Sequence, residues 1–600
     1  MMFRCFFLGL LLLPFFAVPP SAATPDGPDT QQVAPVVPRV FPTDLFSSPL
    51  HRPLGFSGVF SEIRRNHFHA GLDLRVGGVV GEAVYAAADG WVYRIHVMEG
   101  GGGKILAIAH PEGYITYYMH LNGYAGEIGR LVESMQRRAE SYVIDTILPA
   151  GAMPVRRGQH VAYVGNTGGS AGPHLHFEIR DAEGVWTFNP LRFGLDYEDA
   201  IKPTIRGLRL YPASDGSTVG GQRQPMELTS DTVTVGGPVY LGVYATDASS
   251  GSTLRNGIYS LKVQIDGQPF FTYRLDSLRS GEGNLVNALI DYDYFCENRE
   301  GYLLTRRLQG IRDNTTTWSA SDDGLMRFAP GTSHRVTVTA YDCKQNSASR
   351  TFTIRAVAPA RPLPQTASDS RGYTRYAARY NQPFHLQRDG FQVDMAEGSL
   401  FDDDTLRYAL EASSKYLTPC YHLHTTHLPL PPRRSYRVAI RRDQCRHIEP
   451  GKMLMVLRNE KDVLIPYLLR DSADWFVTTV YGFGYFALTS DTREPTLKPV
   501  NFREGGTVYE TLLKAKIGDN LSGVSQYKCY VNGRWVLSAY DRKVSTLLIH
   551  ADEALTVGDN TLRICLTDAC GNTTDVTYQI RYSKQKPPRK SAQKSKKKRK

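Results

Sequence analysis

Pro173-His174-Leu175-His176-Phe177-Glu178-Ile179 alternates polar and apolar residues with a period of two. Successive strand side chains point to opposite faces, so His174, His176 and Glu178 share one face while Leu175, Phe177 and Ile179 share the other. Upstream, Ile115-Thr-Tyr-Tyr-Met-His120 alternates in the same way. This predicts a second strand whose polar face, Thr116, Tyr118 and His120, meets the first. Earlier still, His69-Ala-Gly-Leu-Asp73 keeps two polar residues on one side at a spacing of four, either as a strand or as a helical turn; Gly71 favours the extended or loop form.

Imidazole nitrogen and carboxylate oxygen are donors that zinc takes in tetrahedral geometry, and a catalytic site uses three while leaving one position for water. A lone His-x-His is more often structural than metal-binding, but here it is the last of three linked elements in order. At these residues the chain resembles the lysostaphin-type zinc metallopeptidases, a family of cell-wall endopeptidases. The likeness runs through Asn66-His-Phe-His-Ala-Gly-Leu-Asp-Leu74, Thr116-Tyr-Tyr-Met-His-Leu121 and Gly165-Asn-Thr-Gly-Gly-Ser-Ala-Gly-Pro-His-Leu-His-Phe-Glu178, within residues 55–192. The resemblance implies that His69, Asp73 and His176 bind Zn2+ and that His120 and His174 are catalytic, acting on the attacking water and on the charge that develops at the scissile carbonyl. No position of the motif is missing.

The other histidines read differently. His67 is expected to be structural or to support the metal ligands, and His110, in Ala-His-Pro-Glu-Gly, to end a strand before a turn. His422-Leu-His424-Thr-Thr-His427 repeats the His-x-His spacing, but nothing near it resembles the His69 to Asp73 segment.

Six hundred residues correspond to about three to five domains. The fold expected is mainly β: a small antiparallel-sheet zinc peptidase domain with a helical insertion, followed by immunoglobulin-like β-sandwich modules. Arg4 precedes an apolar run too short to span a bilayer comfortably, and Ser21-Ala-Ala23 offers small residues for cleavage. The expected division is a signal peptide at 1–23, a linker at 24–45, the zinc endopeptidase domain at 46–200, an immunoglobulin-like module at 201–357, a β-rich domain at 358–494, a second immunoglobulin-like module at 495–583 and a disordered basic tail at 584–600. The two immunoglobulin-like modules echo one another. Tyr244-Ala-Thr-Asp247 and Val336-Thr-Val-Thr-Ala-Tyr-Asp342 in the first correspond to Ile517-Gly-Asp519 and Leu562-Arg-Ile-Cys-Leu-Thr-Asp568 in the second. Their Asp and Asn residues read as turn formers rather than calcium ligands.

Between the His120 strand and Gly158-Gln-His-Val-Ala-Tyr-Val164 the chain carries roughly 25 residues more than a short connection needs. Ile128, Leu131, Met135, Ala139 and Tyr142 recur there at helical spacing, which predicts a docked amphipathic helix within an insertion at about 124–150; structural packing is its default role, and a cleft wall or lid beside His120 is the alternative. Seven cysteines follow the signal; Cys420 with Cys445 and Cys296 with Cys343 are the sequence-local pairings expected in an oxidising compartment.

Residues 584–600 hold ten Lys or Arg and no acid, nearly the whole net charge of +11, so the folded part is close to neutral. Such a tail suits adhesion to anionic envelope polymer. Nucleic-acid binding has no accompanying signature, and no transmembrane span follows the signal. The activity expected is exported zinc-dependent hydrolysis of peptidoglycan peptides, in a periplasm or at the cell envelope or surface. The alternatives are a catalytically silent wall-binding or hydrolase-activating protein and an adhesin with structural zinc.

Overall fold

The computed structural model describes residues 40–249, 254–311, 318–361, 372–426, 430–459 and 461–585. The expected signal peptide, His427 and all of the basic tail beyond residue 585 lie outside these.

Short β-branched and aromatic segments broken by Gly and Asp turns make the chain mainly β. In the N-terminal domain, β1 (Phe56–Gly58), β2 (Leu72–Arg75), β3 (Gly90–Val97), β4 (Lys104–Ala109), β5 (Tyr114–Met119), β6 (Ile144–Ile147) and β7 (His174–Asp181) form one antiparallel sheet in the order β1-β2-β7-β5-β4-β3-β6. The strand predicted at 174–179 is therefore central, flanked by the two other motif segments. In its register His176 lies opposite Asp73 and Met119, and Phe177 lies opposite Leu72 and Tyr118. Directly opposed residues share a face. Leu72, Leu74, Tyr118, Leu175, Phe177 and Ile179 accordingly form one fully buried layer, while His174, His176 and Asp73 stand on the other side.

This register corrects one expectation. Thr116 and Tyr118 do not face the histidine pair. They point into the core, where the Tyr118 hydroxyl accepts from the Ala87 amide at 2.9 Å and the Tyr118 ring packs on Phe177. Strand alternation would carry His120 to that same side. Instead, His120 follows the end of β5 with φ of 61°, and this left-handed residue breaks the alternation, so that its ring packs against those of His174 and His176.

The insertion contains the expected helix, α1 (Gly126–Ala139), which ends at left-handed Glu140. Its buried stripe is Ile128, Val132 and Gln136, with Leu131 and Met135 packed at its flank. Ala139 is exposed and Tyr142 lies past the helix end, so the expected stripe is displaced at its C-terminal end. The rest of the insertion is β6, which pairs with β3 and extends the sheet.

Residues 204–357 form two sheets around one core, and residues 496–582 do likewise. The two units share a topology: in each, an early strand (Thr232–Gly236 or Gly506–Val508) runs parallel to the last strand (Ser347–Val357 or Thr573–Tyr582). The repeated motifs serve as latches. Asp342 accepts from the Asn346 amide, and Asn346 Nδ2 donates to the Asp199 carbonyl at 3.2 Å; Asp568, Asn572 and the Asp491 carbonyl repeat this, the last at 2.9 Å. In both units three carboxylates converge, Asp199, Asp247 and Asp342 in one and Asp491, Asp519 and Asp568 in the other, with ligand-type atoms within 4.8 Å.

The units are not strung loosely. β8 (Trp186–Phe188) pairs with β7 on one side and with β9 (Ser277–Arg279), from the following unit, on the other. Phe60 and Phe68, which flank the segment leading to His69, are buried in the core of that same following unit. The expected disulfides are absent: Cys296, Cys343, Cys420 and Cys445 are all unpaired. Each sits in its own setting. Cys343 accepts from Asn189 Nδ2, Cys445 donates to the His447 carbonyl, and Cys420 packs in a small cluster with Tyr416, Val456 and Ala487. Among the described residues no helix is long and apolar enough to cross a membrane.

Candidate metal centre and its surroundings

His69 precedes β2, Asp73 lies within it, and His176 lies directly across from Asp73 on β7. His69 Nε2 is 3.0 Å from Asp73 Oδ1 and 3.0 Å from His176 Nδ1, and His176 Nδ1 is 2.8 Å from Asp73 Oδ1. All three residues are buried, and their donor atoms form one compact triangle. A tetrahedral zinc with bonds of about 2.0–2.1 Å separates its ligand atoms by about 3.3 Å, so a donor set of two imidazoles and a carboxylate this close suits zinc in chemistry and in size. Gly71 leaves room for the outer edge of the His176 ring. A Cβ at residue 71 would stand 2.5 Å from the Phe177 carbonyl and 2.8 Å from His176 Nε2.

The atoms facing away from the triangle are also engaged. His69 Nδ1 bonds the Val59 carbonyl at 2.8 Å, which leaves Nε2 as the inward lone pair. His176 uses Nε2 to bond Glu178 Oε1 at 2.9 Å, so Nδ1 faces inward. Glu178 is in turn gripped by Arg180, with Nε at 2.7 Å and Nη2 at 2.5 Å, and Arg180 lies over the Tyr117 ring. Arg64 Nη2 bonds the outer oxygen of Asp73, Oδ2, at 2.5 Å, and Gly58 makes room for that pair, since a Cβ there would stand 2.7 Å from Oδ2.

His120 and His174 line the same side of the triangle, their ring centroids 4.9 Å apart. His120 Nδ1 bonds the Thr167 carbonyl at 2.8 Å, leaving Nε2 unprotonated when Nδ1 carries the proton. His174 Nε2 is 3.3 Å from Asp73 Oδ1, and its Nδ1 bonds the Gly172 carbonyl at 2.9 Å.

Burial pushes the His69 and His120 imidazoles down to about 4, so both are neutral at pH 7. For Asp73, burial raises the pKa, but its close contacts with His174, His176 and His69 outweigh it and hold the carboxyl below the usual range. Burial lowers His176, whereas Asp73 and Glu178 together lift it to about 9. Glu178 is raised by burial and brought down to about 2, chiefly by Arg180.

All five residues singled out from sequence thus meet in one site. The remaining histidines do not join it. His67 is exposed. His110 is buried between the Asp89 carbonyl and Thr116. His422 bonds Glu411, and among the described residues no group of three metal-type donors includes it or His424. Sequence reasoning missed Arg64, Arg180 and the Val59 and Thr167 carbonyls. Arg180 alone carried a signal, being the next residue on the His174, His176, Glu178 face.

Residues 67–141 and 146–190 match the profile of peptidase family M23. Over 118 residues the chain is 30% identical to lipoprotein NlpD of Yersinia enterocolitica, covering 95% of that protein and 20% of this chain. The chain belongs to peptidase family M23 through this domain. It is also 32% identical over 137 residues to an uncharacterized metalloprotease of Haemophilus influenzae, covering 22% of this chain and 24% of that protein. With the peptidoglycan DD-endopeptidase ShyB of Vibrio cholerae it shares 34% identity over 102 residues, 17% of this chain and 18% of that protein. The chain thus spans about a quarter or less of the length of these last two relatives. Residues 375–491 match the profile of the Zu5-like domain.

Proposed function

We propose that the protein is an exported zinc metalloendopeptidase that hydrolyses peptide bonds in peptidoglycan stem peptides or cross-links. The observation that carries this reading is the convergence of His69 Nε2, Asp73 Oδ1 and His176 Nδ1 on one point with the rings of His120 and His174 beside it. His69, Asp73 and His176 would hold a zinc ion, which would supply a Lewis acid and activate the attacking water near neutral pH. His120, neutral and with Nδ1–H given to the Thr167 carbonyl, offers Nε2 as the base that takes the proton of the attacking water and returns it to the leaving amine. His174 would act as the imidazolium, its Nδ1–H given to the Gly172 carbonyl and its Nε2–H, directed toward the site, donating to the scissile carbonyl oxygen as charge builds there. Glu178 and Arg64 fix the ligands from outside.

The modules at 201–357 and 495–583, immunoglobulin-like in this reading, place the peptidase in the envelope, and the basic tail binds anionic envelope polymer. The resemblance to a peptidoglycan endopeptidase supports the substrate, and the intact five-residue set favours catalysis over a silent wall-binding or hydrolase-activating role. The test is mass analysis of fragments released from defined wall material by the full chain and by Asp73→Ala. Release of peptide-cleaved fragments by the full chain alone is expected. Equal release by both proteins, or release by neither with zinc bound, refutes the proposal.

A further inference from the structure

His120 sits where two glycine-rich loops meet. The Thr167 amide donates to the His120 carbonyl at 3.3 Å, the Thr167 carbonyl accepts from the His120 ring, and the His120 amide donates to the Gly102 carbonyl at 2.8 Å. The loops interlock: the Gly169 amide donates to the Gly101 carbonyl at 2.8 Å, and the Lys104 amide donates to Thr167 Oγ1 at 3.0 Å. A Cβ at Gly168 would strike backbone of the other loop, including Gly103 Cα at 2.6 Å. Runs of glycine lose more backbone freedom on ordering than any other residue, and His120 holds a left-handed conformation that L side chains disfavour. Such a junction needs support from outside itself.

That support comes from sequence more than 350 residues away. In the C-terminal unit the strands Ser538–Asp541 and Thr546–His550 form a hairpin, and its tip is the short 3-10 turn Arg542–Val544, N-capped by Asp541. Arg542 grips Glu99, the residue that opens the first glycine loop, through Nε and Nη2, each at 2.7 Å. Lys543 Nζ donates to the carbonyl of Asn166, next to Thr167 in the second loop. Leu537 and Ala539 of the same hairpin pack on the peptidase core. Two adjacent cations therefore hold the outer ends of both loops that frame His120.

We propose that Arg542 and Lys543 form an intramolecular clamp that positions His120, so that the C-terminal unit controls turnover at the active site and not merely its location. The inference rests on the reading of the site as a zinc peptidase. Arg542 and Lys543 are positioning residues, acting through Glu99, the Asn166 carbonyl and Thr167.

The test uses the full chain carrying Arg542→Ala with Lys543→Ala, alongside Arg542→Lys with Lys543→Arg. Hydrogen exchange is followed over residues 100–103 and 165–169, and zinc content, kcat and KM on a wall peptide are measured in parallel. Losing two charge-assisted hydrogen bonds is expected to speed exchange in both loops by about tenfold or more while residues 174–179 stay protected. Zinc remains stoichiometric, kcat falls on the order of tenfold or more with a smaller change in KM, and the conservative pair recovers most of both effects. The proposal is overturned by unchanged exchange in the two loops, or by a fall in kcat that follows zinc loss. Because exchange needs no substrate, a wild-type chain that cleaves nothing would sink the peptidase reading while the clamp is still decided by the loops. If the alanine pair opens the whole C-terminal unit, exchange rises across residues 512–550 as well; the single variant Lys543→Ala, which spares the Glu99 pair, then decides by its effect on residues 165–169 alone.

Discussion

Removing the carboxylate of Glu178 tests how the metal centre is built. Glu178 accepts from His176 Nε2 at 2.9 Å and is buried, so Glu178→Ala leaves that N–H without a partner. An unsatisfied buried donor costs about 1–3 kcal/mol. Arg180 also loses its partner, but its side chain is 32% exposed and reaches water, so the larger penalty of about 3–5 kcal/mol for a stranded buried charge does not apply. Loss of a ligand's outer hydrogen bond weakens metal affinity by about 10–100-fold, which is about 1.4–2.7 kcal/mol. The expected outcome is therefore a folded protein with a modest drop in Tm and zinc affinity lower by one to two decades, with Glu178→Gln in between because it keeps an acceptor oxygen. Competition with a zinc-binding dye measures the affinity, and a thermal melt in excess zinc measures the fold. Wild-type affinity in folded Glu178→Ala would refute the assignment of His176 Nδ1 as the inward nitrogen.

Three further outcomes are expected. His120→Ala retains zinc but loses on the order of a hundredfold or more in kcat; His120→Asn, which tolerates the left-handed backbone without supplying a strong base, loses as much, as steady-state kinetics with metal analysis will show. Gly71→Ala lowers both Tm and zinc occupancy, because the new methyl meets the Phe177 carbonyl at 2.5 Å and His176 Nε2 at 2.8 Å, neither of which is a flexible chain end; normal occupancy in a zinc titration would contradict the close packing. Burial, reinforced by Asp199, pushes the Asp247 carboxyl up to about 7, and an acid whose pKa rises on folding favours the folded state most below its unfolded value and loses that advantage as pH climbs toward 7. Asp247→Asn should therefore raise Tm at pH 8 and flatten its dependence between pH 4 and 7, which melts across that window will check.

The five residues that meet in the candidate site were legible because alternation and short spacing are local properties; β5 and β7 formed where the pattern placed them, while the 69–73 segment, open between strand and helical turn, enters β2 only at Leu72. The face of His120 was not legible. Alternation assigns it to the core side with Tyr118, and only its positive φ turns it toward His174 and His176, a backbone state that the sequence does not announce. Arg64 was invisible for another reason: it reaches Asp73 across a space created by Gly58, and neither residue belongs to the motif. The helix in the insertion was read correctly as an element. Its partner was not, since Arg137 and Glu140 meet Glu553 and Lys528 of the C-terminal unit across the chain. Cysteine pairing failed because proximity in sequence says nothing about where each thiol sits in the fold: Cys296 lies on a short helix, Cys343 in a turn, Cys445 at the end of a 3-10 turn and Cys420 on a strand.

The ladder from β7 through β8 to β9 has a practical consequence for anyone isolating the peptidase. A fragment ending at residue 200 keeps β8 but strips away its outer partner, turning an interior strand into a bare edge with unpaired amides and carbonyls, and it uncovers Phe60 and Phe68 at the same stroke. Sticky edges of this kind recruit strands from other molecules. The M23 domain is thus a lodger in its neighbour's architecture, and a well-behaved minimal fragment needs the sequence through residue 357 along with it.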